Sequence, residues 1–273
     1  MMATSNTLSR LFGKFARYSF PKPIQKFINK IYVSLFRIDL TGFAPLESYP
    51  TLNALFTRAL QTPRFIDPNP KILIAPCDAL ITVCAPVTYN LALQIKGMDY
   101  QVGELLGQKQ VLKDYIYFNF YLSPKNYHRF HAPCDLQISE VRHFCGELLS
   151  VNPAALNQYR YRNAFIRNER VVVVATDVRG QLLYFVAIGA LNVGQIVLNF
   201  DDTIHTNARV YKSPKIYTYN PPISIAKGAE LGRFEMGSSV VLFVQNSATF
   251  DSLQGQEISF ATPIATFEQS DIS

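Results

Sequence analysis

Tryptophan is absent from the 273 residues, and cysteine is sparse: Cys77, Cys84, Cys134 and Cys145 form neither a CxxC pair nor a dense framework. Also lacking is a secretory leader with a small-residue cleavage site, so a reducing, cytosolic compartment and reduced, mostly buried thiols are expected. No apolar run approaches the roughly 20 residues that span a bilayer as a helix. Internal repeats, low-complexity tracts and recognised nucleic-acid-binding motifs are missing too. Charge is modest at 17%, against 48% hydrophobic residues, a balance that excludes disorder and predicts a substantial core. The aromatics are 15 Tyr and 20 Phe, which suit a β-rich interior.

The net charge of +6 is unevenly placed. Residues 1–40 hold seven basic side chains (Arg10, Lys14, Arg17, Lys22, Lys26, Lys30, Arg37) and one acid, Asp39, so the remainder is balanced. Two amphipathic helices can be read there. Leu8, Leu11, Phe12 and Phe15 recur at helical spacing, Pro21 and Pro23 interrupt, and Ile24, Phe27, Ile28, Ile31 and Leu35 resume the pattern. Basic faces opposite large apolar side chains are what a helix lying in a membrane interface needs. The competing reading is a helix packed on its own domain with its lysines in water, and the pattern does not choose between them. Residues 1–44 are therefore taken as a basic, membrane-associating helical segment and 45–273 as the body.

Residues 41–70 read as a Pro-punctuated connection containing a short helix, Leu52 to Leu60. From about residue 71 the chain turns to short β-like runs: 71–75, 80–85, 92–96, 115–122, 135–144, 170–176, 182–189, 193–199, 240–245 and 258–260. Many short strands without alternating long helices predict a mostly antiparallel, sandwich or barrel-like body. With the helical N-terminus, the fold class is α+β.

Four features could carry chemistry. Gly237-Ser238 stands just before the apolar run Val240 to Val244. A glycine allows close approach to its carbonyl, and the neighbouring hydroxyl could attack that carbonyl in an N-to-O acyl shift; a plain turn into a buried strand is the alternative. His128 and His131 lie in a Pro-flanked segment, and in an extended chain they point to opposite sides, so one at most faces a given site. As metal ligands with Cys134 they lack a fourth partner, and no metal is expected. Asp78 sits between two apolar runs, either as a turn former or as the carboxylate that orients a histidine.

The combined pattern resembles the phosphatidylserine decarboxylases, of the pyruvoyl-dependent bacterial type I. Asn53-Ala54-Leu55-Phe56-Thr57-Arg58 is similar to their N-E-F-F-x-R, and Ala75-Pro76-Cys77-Asp78 to S-P-x-D-G. Lys96-Gly97-Met98-Asp99-Tyr100 with Leu105-Leu106-Gly107 is similar to K-G-x-x-Y…L-L-G. The match continues through Tyr127-His128-Arg129-Phe130-His131-Ala132-Pro133, Gly146-Glu147-Leu148-Leu149-Ser150-Val151-Asn152, Arg167-Asn168-Glu169-Arg170-Val171 and Gly189-Ala190-Leu191-Asn192-Val193-Gly194. It ends in Lys227-Gly228-Ala229-Glu230-Leu231-Gly232-Arg233-Phe234 and Gly237-Ser238-Ser239. Ala79, Leu136 and Ser239 depart from the family's Gly, Gly and Thr.

The resemblance implies two reactions at one place. His131 acts as general base on Ser238, oriented by Asp78, and Ser238 attacks the Gly237 carbonyl. The chain divides into 1–237 and 238–273, which stay associated, and Ser238 becomes a covalent pyruvoyl group. That group forms a Schiff base with phosphatidylserine and releases CO₂ and phosphatidylethanolamine, with His128 the candidate for decarboxylation or protonation. Peripheral attachment to an anionic membrane surface, at the cytoplasmic face of the inner membrane, follows, and a homodimer is hinted at. The rival readings are a serine hydrolase using Asp78, His131 and Ser238, a non-catalytic membrane-binding module, and a pyruvoyl enzyme for a soluble amino acid. The first two require an uncut chain.

Overall fold

In the computed structural model, residues 11–95, 98–191, 195–207, 214–235, 238–245, 248–250 and 253–267 are described. The helices are α1 (Lys22–Phe36), α2 (Leu52–Phe56), α3 (Val102–Leu106), α4 (Pro153–Leu156) and α5 (Ala164–Arg167), with residues 11–17 helical ahead of α1. The strands are β1 (Ile72–Ile74), β2 (Ala79–Pro86), β3 (Leu91–Ile95), β4 (Met98–Gln101), β5 (Tyr115–Leu122), β6 (Arg129–His131), β7 (Leu136–Phe144) and β8 (Arg170–Thr176). They continue with β9 (Leu182–Gly189), β10 (Gln195–Leu198), β11 (Lys215–Ile225), β12 (Glu230–Glu235), β13 (Ser238–Gln245), β14 (Ala248–Thr249), β15 (Glu257–Ile258) and β16 (Pro263–Phe267).

Eight strands form one antiparallel sheet in the order β11-β7-β8-β9-β13-β5-β2-β15. The fold is α+β, as expected, but the sheet is open, with β11 and β15 at its edges, and does not close into a barrel. One face is covered by the three-stranded sheets β1-β16-β14 and β10-β12-β6, and the other by β3, β4 and helices α3 to α5. This double cover explains why the central strand reads as an unbroken apolar run. Val240, Leu242 and Val244 join one core with Phe118 and Phe120, while Val241 and Phe243 join the other with Tyr117 and Val186. Each such buried side chain contributes roughly 1.5–3 kcal/mol.

Several strands were not read from the sequence. β11 carries Pro221 and Pro222, and its register slips between Thr218 and Ile223, which an edge strand tolerates because no ladder donor is needed there. β12 contains Gly232, whose added Cβ would lie 2.1 Å from the Val197 carbonyl oxygen, so the close approach of β10 requires glycine.

The N-terminal segment packs by an inverted rule. α1 buries Gln25, Asn29 and Tyr32; Gln25 Nε2 donates to Asn29 Oδ1 (2.7 Å), and Asn29 Nδ2 to the Tyr49 carbonyl (3.0 Å). Ile24, Phe27, Ile31 and Leu35 are exposed instead, Leu35 by 70%. No helix among the described residues is long and apolar enough to cross a membrane. Leu8 and Arg10, which open the expected helical pattern, lie outside the described residues.

Candidate active site

Ser238 opens β13, opposite Leu122 of β5 on one side and Gly189 of β9 on the other. Strand alternation puts its side chain on the face of Val240 and Leu242. It is 1% exposed, and its Oγ has no hydrogen-bond partner among the described residues. An unsatisfied buried hydroxyl costs about 1–3 kcal/mol, so packing alone would favour alanine here. The other half of the expected cleavage site, Gly237, lies outside the described residues.

His128 is fully buried and lies at the end of β5, where Leu122 is the ladder partner of Ser238. The Leu122 carbonyl acts on its ring, and the His128 carbonyl accepts from the Phe234 N–H (2.9 Å) on the strand leading to the cleavage site. Nδ1 stands 2.8 Å from the Asn126 carbonyl oxygen. A carbonyl only accepts, so the proton is on Nδ1 and Nε2 carries the lone pair. That Nε2 is buried and has no partner among the described residues. Phe56 of α2 stacks against the ring at 3.9 Å between centroids. Burial first, and the positive charge of Arg58 second, push the imidazole down to about 3, so it is neutral at physiological pH.

His131 occupies a different environment. Its Nδ1 donates to the Gly228 carbonyl (2.9 Å), and its Nε2 accepts from the Tyr127 hydroxyl (3.0 Å). Phe260 stacks on the ring at 3.7 Å and 16°. Burial lowers its proton affinity, while the Gly228 carbonyl and Glu230 oppose that effect. Asp78 meets the backbone of the same Phe260: its Oδ1 accepts from the Phe260 N–H (2.7 Å), and Arg64 grips both carboxylate oxygens, Nη2 to Oδ2 at 3.0 Å. Asp78 and His131 thus share Phe260 without a hydrogen bond between them among the described residues, and the group that fixes the His131 tautomer is the Gly228 carbonyl. The antiparallel ladder places His131 opposite Glu230, whereas Phe234, nearer the cleavage site, meets His128. Leu122 is thus the residue common to Ser238 and His128, and Phe260 the one common to Asp78 and His131.

An apolar cavity of about 440 Å³ lies on the α1 side of Phe56. Ile31, Leu35 and Phe36 of α1 line it together with Leu52, Phe56 and Pro124. Phe56 is its link to the imidazole, because the same ring stacks on His128.

Residues 52–266 match the family model described as phosphatidylserine decarboxylase. The chain is 54% identical over 268 residues to the phosphatidylserine decarboxylase proenzyme of Helicobacter pylori, covering 98% of this chain and 99% of that one. It is 42% identical to the like-named proenzyme of Campylobacter jejuni (97% and 100% covered) and 33% identical to that of Myxococcus xanthus (93% and 91% covered). The chain belongs to the phosphatidylserine decarboxylase family. Within this family member, the fold adds residues that sequence reasoning did not single out. Tyr127, Arg58, Phe56 and Gly228 lie inside the quoted motifs, whereas Arg64 and Phe260 had no local signal.

His128, His131 and Cys134 do not gather as metal ligands among the described residues. The donors that do are His143, Cys145 and Glu169, all within 4.8 Å, one short of a closed zinc set. Cys77 and Cys134 are buried, and burial pushes the Cys84 thiol up to about 12.

Proposed function

We propose that the protein is a precursor that cuts itself between Gly237 and Ser238 and decarboxylates phosphatidylserine to phosphatidylethanolamine and CO₂ at residue 238. The observation that carries this reading is a pair of buried, unpartnered polar atoms, Ser238 Oγ and His128 Nε2, on residues that each neighbour Leu122, in a chain of this family.

In the cut, Ser238 Oγ bonds to the Gly237 carbonyl carbon as its proton passes to a base, and the peptide C–N bond opens to leave an ester. Loss of the Ser238 Cα proton then expels the Gly237 carboxylate, and water displaces ammonia from the resulting dehydroalanine tautomer, leaving a pyruvoyl group. A general base works best with a proton affinity near the operating pH. His128, at about 3, is too weak for that task, so His131 is the better base of the two. Gly228 orients its ring, Tyr127 is the hydroxyl its Nε2 must release or relay through, and Asp78 supports it at one remove by fixing Phe260.

The residues fit the pyruvoyl group: the Ser238 oxygen has no hydrogen bond to lose, and a bare imidazole nitrogen lies at the same strand end. When present, that group supplies the electron sink that takes up the electrons left by departing CO₂. His128 stays neutral, so its Nε2 can accept a hydrogen bond from the substrate's amino group; once protonated, a ring of such low affinity readily gives its proton to carbon. The two chains, 1–237 and 238–273, stay together because β13 is central, laddered along eight positions to β5 and six to β9.

Residues 1–44 seat this catalytic part, 45–273, on the cytoplasmic face of the membrane. The outward Ile24, Phe27, Ile31 and Leu35 of α1 would enter the lipid interface, with lysines drawn to anionic headgroups at about 1 kcal/mol each. The apolar cavity between α1 and Phe56 would take an acyl chain. Replacing Ile31 and Leu35 with Asp should release the protein from phosphatidylserine vesicles in flotation assays, with cleavage unchanged; unchanged flotation would refute this placement.

The function itself is tested by incubating purified protein with phosphatidylserine vesicles after borohydride treatment. Reduction of the pyruvoyl carbonyl should abolish CO₂ release and add two hydrogens to the 238–273 chain. A serine hydrolase or a non-catalytic module has no such carbonyl and would be unaffected.

A further inference from the structure

Arg58 follows α2 directly. Thr51 caps that helix by accepting the Ala54 N–H on its Oγ1 (3.0 Å), and Leu52, Leu55 and Phe56 turn inward at helical spacing. Thr57 leaves the helix, its carbonyl accepting Arg129 Nε (3.0 Å), and Arg58 enters the protein at 3% exposure. Its Nη2 donates to the Lys125 carbonyl (2.8 Å) and to the Asn126 carbonyl (3.2 Å). The Asn126 carbonyl is the group that accepts the Nδ1 proton of His128. One oxygen therefore receives a guanidinium proton from one side and an imidazole proton from the other. The Asn126 side chain closes the same turn, its Oδ1 accepting from the Ser123 N–H (2.9 Å) and hydroxyl (2.6 Å).

No carboxylate pairs with Arg58 among the described residues. Its Nε and Nη1 are buried without a hydrogen-bond partner, and the guanidinium lies 4.6 Å over the Phe43 ring. A buried, unneutralised cation projects its field much farther than a paired surface one. Of the acids whose charges couple to it, Asp78 is held by Arg64 and Asp39 by Thr41.

We propose that Arg58 is a positioning residue for His128: by holding the Lys125 and Asn126 carbonyls it fixes the Nδ1–H tautomer and keeps the Nε2 lone pair free beside residue 238. This rests on the reading that His128 serves the chemistry at that residue. Two effects act together, geometry through the shared carbonyl and charge through the low-dielectric interior. The groups packed on His128 are Phe56 from α2, the Asn126 and Leu122 carbonyls, and β12 through the Phe234 N–H; Arg58 is the charge that acts on the ring. Removing that charge makes the imidazole easier to protonate, so the sign is a rise in its proton affinity, on the order of tenfold.

The test is histidine NMR on the full-length protein labelled at the imidazole nitrogens, with the His128 signals identified by their loss in His128→Asn. In the unaltered protein His128 should show the Nδ1–H tautomer and remain neutral across the range where a free histidine titrates. In Arg58→Gln the His128 titration should move up by about one pH unit, and the tautomers should mix. Arg58→Lys keeps the charge and loses the fork, so mixed tautomers without the upward shift are expected. It also serves as the measurement if Arg58→Gln fails to fold. Decarboxylation should follow, with the acid limb of the Arg58→Gln rate profile moved to higher pH and no further loss when His128→Asn is added. An unchanged His128 tautomer and titration in the Arg58 variants would overturn the inference. Failure of the underlying reading would look different, as full decarboxylation by His128→Asn itself.

Discussion

His128 and His131 are three residues apart on one extended segment, and both carry their proton on Nδ1 against a backbone carbonyl. They differ at Nε2. In His131 that nitrogen is held by the Tyr127 hydroxyl; in His128 it is buried and bare. The two rings enter different packing, one against Phe56, the other against Phe260, whose N–H donates to Asp78. The contrast teaches that a motif can present two chemically identical side chains for two tasks, with the neighbours setting which is the better base.

The comparison can be broken most forcefully at its common target. Ser238→Ala should abolish both chain cleavage and CO₂ release, measured by denaturing electrophoresis and radiolabelled substrate. Next come the imidazoles. His131→Ala should slow cleavage by about 10²–10⁴-fold, while His128→Ala should cleave and lose decarboxylation by a similar factor, the usual range for acid–base groups. Acid titration of the folded protein sharpens the difference in proton affinity. An imidazole held at about 3 binds its proton more weakly folded than unfolded, so its contribution is full above about pH 6.5 and is lost as pH falls towards 3. Denaturant unfolding should therefore show stability falling by about 4 kcal/mol more over that window than in His128→Asn, an order-of-magnitude figure. The smallest effect is expected from Tyr127→Phe, which bares the Nε2 of His131. Loss of a donor to the neutral ring makes it easier to protonate, and cleavage should change less than tenfold with a higher acid limb.

Much of this arrangement was legible in the sequence. The strands 115–122, 170–176 and 182–189 are read with their observed bounds because they are buried runs on both faces. His128 and His131 have different aromatic neighbours, Phe56 and Phe260. What stayed hidden depends on distant pairing. The Gly228 carbonyl reaches His131 across 97 residues, and the Phe260 N–H reaches Asp78 across 182. No local spacing encodes those contacts, and an Asp expected to orient a histidine is instead taken by Arg64. β6, three residues long, and β12, interrupted by Gly232, carried too little alternation to be read. The helix expected to run from Leu52 to Leu60 ends at Phe56, where Arg129 and the Lys125–Asn126 turn capture the following residues.

The division of labour between the two histidines is tested most directly by intact mass spectrometry of His128→Ala and His131→Ala under denaturing conditions. The account predicts two chains, 1–237 and 238–273, for His128→Ala and a single uncut chain for His131→Ala. A cut His131→Ala protein beside an uncut His128→Ala protein would contradict it.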